Sequence, residues 1–179
     1  MNLINSSYKI LPQLPRMEGV YKQIELAGRT CYKSEDKITY NSAKKFVDNM
    51  VASKHTAMLE HGTVYLRVPR TIFNSFFGKP KIVKRYLSNP YSKVEEGWDM
   101  CTTPCSNSDN IFKFYAITTN YRVIIENGWV SDLIYQCEPT SYHAKRYTVR
   151  FICDRGVSHE LVRHRVFSFA QESTRQWRH

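Results

Sequence analysis

Residues 158–175 read SHELVRHRVFSFAQESTR, a stretch dense in groups that can do chemistry. His159, Glu160, Arg163, His164, Arg165, Glu172 and Arg175 stand there with Ser168, Ser173 and Thr174. An arginine presents a planar fork of N–H donors and hydroxyls complete the remaining acceptor positions, so this mixture suits a phosphate or another anion. The pattern predicts a helix over roughly 157–168, on which Glu160, Arg163, His164 and Phe167 fall within about one third of the circumference. A helix serving only a core would not gather such groups on one side. The residues alone fit equally well a solvated basic helix end with capping hydroxyls.

Metal chemistry is disfavoured. His159-Glu160 resembles the opening of a zinc-protease helix, but the next histidine is His164, and positions i and i+5 lie about 140° apart on a helix. Cys101 and Cys105 have no second pair to complete a structural zinc site. No glycine-rich phosphate loop occurs.

The elements that must position this stretch are legible in part. RYTVRFICD (146–154) alternates as a strand, with Tyr147, Val149, Phe151 and Cys153 on one face. Val20, Ile24, Ala27 and Cys31 recur at helical spacing and predict a helix over 17–32, in which Gly28 either allows close packing or ends the helix early. Ser42 is the expected N-cap of a helix over 43–53 with Ala43, Phe46, Val47 and Met50 buried. HTAMLEHG (55–62) leads into an alternating strand at 63–68. Four prolines punctuate 69–113, and 71–77 suits a short helix. Residues 115–128 read as a strand pair or one long strand with a turn at Asn127-Gly128, and 132–138 as a partner strand. The whole predicts a single α+β domain over 1–179 with a mostly antiparallel sheet.

Composition sets the outer bounds. A chain of 179 residues with 42% hydrophobic content is large enough to bury a core and is not a disordered or collagenous type. The N-terminus lacks a signal-peptide pattern and no apolar run is long enough to span a bilayer. Five scattered cysteines are not a disulfide framework; they read as reduced thiols of a cytoplasmic protein. The net charge is +10, and residues 145–179 hold eight Lys/Arg against three acids, half of the excess. That imbalance suggests an anionic partner: nucleic acid, nucleotide or phosphorylated substrate. Tyr121, Trp129, Tyr135 and Tyr142 fit either an aromatic nucleic-acid surface or the packed core of a hairpin.

Arg163-His164-Arg165, seven residues, then Ser173-x-Arg175 is the pattern R-H-R-x7-S-x-R, and by it the chain resembles the flavin-dependent thymidylate synthases. Ser168 matches a further serine common in that family. AGRTCY (27–32) and HTAMLEH (55–61) are similar to its N-terminal segment and its H-x-[ST]-x-x-E-H element. The resemblance covers roughly 15–68 and 145–175, and 69–144 reads as an inserted region.

The resemblance implies an α+β homotetramer with active sites at subunit interfaces. It implies methylation of dUMP to dTMP, with methylenetetrahydrofolate as one-carbon donor and FAD and NADPH as reductant. Carried over by motif, Arg163, His164, Arg165 and Gln171 would bind FAD. Glu160, Arg163, Gln171, Glu172, Ser173, Thr174 and Arg175 would line the dUMP site. His55, Ser173 and Arg175 would be the catalytic residues. His61 reads as a structural histidine. No metal, membrane or specific nucleic acid is expected as partner.

Three departures stand out. Ala57 occupies a position that is often Ser or Thr, and Ala170-Gln171-Glu172 replaces the commoner Asn-Glu-x. Members usually continue well past the signature, with Tyr directly after its last Arg, whereas here Gln176-Trp177-Arg178-His179 follow. The expectation is therefore of a C-terminally shortened chain. Its alternatives are an inactive relative that still binds nucleotide or flavin and, more remotely, a basic RNA-binding protein.

Overall fold

The structure, a computed structural model, describes residues 5–70, 78–100, 111–164 and 166–172. The short helix expected at 71–77 lies outside the described residues, as do Cys101, Cys105, Arg165, Ser173, Thr174 and Arg175. The chain divides into two compact units, Met1–Gly62 with Arg146–His179, and Thr63–Lys145.

In the first unit, helix α1 (Arg16–Cys31) packs on α2 (Ser42–Ala52) and on a 3-10 helix, Thr56–His61. The predicted stripe is the buried one: Val20, Ile24 and Ala27 meet Ala43, Val47 and Leu59 in the core. Cys31, Phe46 and Met50 are half-buried. Gly28 lies inside α1, where a Cβ would stand 2.6 Å from the Phe46 ring, so close packing is the reason for this glycine. Asn41, not Ser42, occupies the N-cap of α2. Ser42 instead accepts the Thr39 N–H at 2.9 Å and reaches the buried carboxylate of Glu25 at 3.0 Å. Glu25 also receives Arg29 Nε at 3.2 Å, which satisfies a charge that would otherwise be costly to bury.

Strands β1 (Ser7–Leu11) and β5 (Thr148–Ile152) form an antiparallel two-stranded ribbon, with Tyr8 opposite Phe151 and Ile10 opposite Val149. The strand expected over 146–154 is present but shorter. Tyr8, Ile10, Tyr147, Phe151 and Ile152 are all exposed.

In the second unit, β2 (Thr63–Pro69), β4 (Ile111–Asn120) and β3 (Lys93–Met100) make an antiparallel sheet in the order β2-β4-β3. Val64, Leu66, Val68, Tyr115 and Ile117 are buried in it, and α3 (Lys81–Leu87) adds Val83 and Tyr86 to the core. Tyr86 donates to Asp132 at 2.9 Å, and Arg85 pairs with the same carboxylate. Burial, then the Asp132 charge, push the Tyr86 hydroxyl far above its ordinary range.

The expected strand pair over 115–128 is not formed. Asn120 ends β4 and caps α4 (Tyr121–Glu126), its Oδ1 accepting the Val123 N–H at 2.9 Å. Asn127 and Gly128 then close that helix, Gly128 in the left-handed region at φ 68°, a helix-end use of a pair that also makes hairpin turns. The partner strand expected at 132–138 is also absent. Val130–Tyr135 is a 3-10 helix, and only Gln136 bridges to Leu66. The competing interaction is the buried Asp132, which anchors this turn to α3.

Of the aromatic residues of this stretch, Tyr121, Trp129 and Tyr142 pack, while Tyr135 is exposed. Trp129 lies edge-on to Tyr86 at 4.8 Å and Tyr142 to Phe114 at 5.6 Å. His143 is buried: its Nδ1 accepts the Thr140 N–H at 3.0 Å, so Nε2 carries the proton and donates to the Leu66 carbonyl at 3.1 Å. Helices with antiparallel sheets place the chain in the α+β class. Among the described residues no helix is long and apolar enough to cross a membrane.

Candidate functional site

Asp154 opens α5 (Arg155–Leu161), its Oδ1 accepting the Val157 N–H at 3.0 Å. The helix expected to run to 168 stops at Leu161. Beyond it the chain proceeds by turns, with Arg163 N–H on the Glu160 carbonyl, His164 on Leu161 and Phe167 on His164. The physical reason is visible at the surface: Val157, Val162, Val166 and Phe167 are exposed, so no packed apolar stripe repays the ordering of a longer helix. The four-residue helical face is therefore not formed.

What survives of that face is the local pair. Arg163 Nη1 lies 2.9 Å from Glu160 Oε1, both side chains largely exposed. Among the described residues only Nη1 is engaged, so the guanidinium keeps further N–H donors for an anion. His164 is exposed beside it.

The following segment is anchored more firmly. Gln171 Nε2 donates to Ser158 Oγ at 2.9 Å. Glu172 pairs with Lys33 at 2.7 Å. The Gln171 main-chain N–H serves the Cys31 sulfur, opposing the burial that pushes this thiol up. His61 has a hydrogen bond to the Phe169 main chain. That contact favours the protonated ring, so the main-chain group is the carbonyl, and burial outweighs it to hold the His61 pKa below its ordinary value. His61 Nε2 is buried without a partner among the described residues, which leaves Nδ1 as the donor. Residues 169–172 are thus held by the end of α1, the 3-10 helix Thr56–His61 and α5.

His55 stands exposed before that 3-10 helix, its N–H on the Met50 carbonyl at 2.9 Å. Among the described residues its ring is not brought against Arg163, His164 or Gln171. Sequence reasoning missed Lys33, Ser158 and Cys31. No spacing signal connects them to the signature, because each reaches it through the fold. Among the described residues no group of three or more His, Cys, Asp and Glu can hold a metal ion.

An α+β chain with exposed arginine and histidine, followed in sequence by an anchored polar segment, has the makings of a protein that binds an anionic ligand. Residues 85–177 match the family described as thymidylate synthase complementing protein, and the chain belongs to this family, the flavin-dependent thymidylate synthases. The match runs through residues 85–144, most of the stretch that the motifs left as an insertion. No curated protein and no solved structure matches the chain. The activity of the family is of the thymidylate synthase type and serves dTMP formation.

Proposed function

We propose that this chain is a flavoprotein that methylates dUMP to dTMP, taking the one-carbon unit from methylenetetrahydrofolate and its reducing equivalents from NADPH through FAD. The observation that carries the reading is the anchored segment 169–172, which follows Arg163 and His164 along the chain inside the region that matches the family.

The donor set fits the ligands. Arg163 and His164 are exposed and present N–H groups to the FAD pyrophosphate, and Arg165 belongs to the same motif. When bound, FAD supplies hydride transfer. Glu160, Gln171, Glu172, Ser173, Thr174 and Arg175 face the nucleotide in this reading, with Ser173 and Arg175 at its phosphate or uracil and His55 near the folate. A guanidinium beside uracil stabilises negative charge on the ring and makes its C5 more nucleophilic.

The β1–β5 ribbon supports a homotetrameric assembly. A two-stranded ribbon is marginal alone, and Tyr8, Ile10, Phe151 and Ile152 give it an exposed apolar surface of the kind that marks association. Free Cys31, Cys137 and Cys153 suit a reducing, cytoplasmic setting.

The test is to load the purified protein with FAD, desalt it and record the visible spectrum, then titrate dUMP. Retained flavin whose bands shift with dUMP is the expected result. A protein that retains no flavin and ignores dUMP would overturn the reading.

A further inference from the structure

Ser158 belongs to none of the motif positions, yet it touches the signature segment directly. Its hydroxyl has one proton, and that proton is directed at the Arg155 carbonyl, 3.0 Å away in the same helix. The oxygen can then only accept, and it accepts from Gln171 Nε2 at 2.9 Å. This fixes more than the place of the Gln171 side chain. It fixes which end of the amide points where: the NH2 group turns toward α5, and Oε1 turns away, with no hydrogen-bond partner among the described residues. The backbone at the same residue is held by Cys31, and the next side chain by Lys33, so the amide stands on a supported segment.

We propose that Ser158 is a positioning residue that sets the polarity of the Gln171 amide, so that a neutral side chain presents only a hydrogen-bond acceptor to the bound pyrimidine nucleotide. The chemistry it serves is an N–H or O–H donor on the ligand: the imide N–H of the ring or a sugar hydroxyl. A carboxylate at this position would offer an acceptor in either orientation; an amide does so only when one end is tied down. The inference rests on the flavin and dUMP reading given above.

The test follows from that difference between amide and carboxylate. On the FAD-loaded protein, dUMP is titrated against the flavin absorbance for the parent, Ser158→Ala, Ser158→Thr, Gln171→Glu and the double variant Ser158→Ala/Gln171→Glu. Ser158→Ala is expected to weaken dUMP binding about 3- to 10-fold, the worth of one oriented hydrogen bond. Ser158→Thr keeps the hydroxyl and is expected to bind like the parent. The double variant is expected to bind more tightly than Ser158→Ala, because the carboxylate needs no orienting partner. A general loss of local structure would not be rescued this way, and thermal melting of each variant separates misfolding from weak binding. Ser158→Ala binding like the parent, or a double variant no better than Ser158→Ala, overturns the proposal while leaving the dUMP reading intact. A parent that ignores dUMP overturns both.

Discussion

Lys33 and Glu172, far apart in sequence, meet at 2.7 Å, and Lys33 does so from a left-handed backbone conformation at φ 50° just past the end of α1. A lysine at such a position carries a conformational cost that glycine would not. The pair fastens the turn after the first helix to the last described residue before Ser173.

Replacing Lys33 by Gly removes an exposed ion pair, worth at most about 1 kcal/mol, and relieves a backbone cost of about 1 to 2 kcal/mol. Unfolding in urea should therefore find Lys33→Gly as stable as the parent or up to about 2 kcal/mol more stable. Lys33→Val, which adds a branched Cβ at positive φ, should be clearly less stable. A valine variant as stable as the glycine variant would contradict this account of the turn.

Gly28→Ala tests the contact between α1 and α2. Alanine gains about 1 kcal/mol in helix propensity, but its Cβ would lie 2.6 and 2.8 Å from two Phe46 ring carbons. Displacing that ring, over which the Arg29 guanidinium also sits, should cost about 1–3 kcal/mol. The expected net result is a lower Tm; a higher one would mean that the ring yields freely.

His61 and His143 both have pKa values held below 6.5, chiefly by burial. The unfolded chain then binds protons that the folded chain refuses. The stability these rings contribute is present above the unfolded value of 6.5 and is lost as pH falls toward their lowered folded values. Urea unfolding at a series of pH values should show the decline beginning near that point, and His143→Gln should make it shallower. The same slope in parent and variant would remove His143 from the account.

Arg163→Ala should separate stability from ligand binding. Its side chain is largely exposed and its ion pair with Glu160 is a surface pair, so the variant should unfold within about 0.5 kcal/mol of the parent. Retention of flavin after desalting should nevertheless be lost. Full retention would take Arg163 out of the proposed FAD site.

The sequence by itself determined the elements whose signal is periodic and local. α1 and α2 announced themselves because their apolar residues recur at helical spacing, and β2 and β5 because theirs alternate. The family was also legible, since the residues of its signature lie close together along the chain between Arg163 and Arg175. The tertiary structure decided everything that rests on distant partners. Asn120 turned an apparent long strand into a strand and a capped helix, and Asp132 held 130–135 in a turn against Tyr86 and Arg85. The helix after Asp154 ended early because no apolar surface lay beneath its continuation. Lys33, Cys31, His61 and Ser158 hold residues 169–172 through single contacts across the fold, and a contact between residues so far apart leaves no period in the sequence to read.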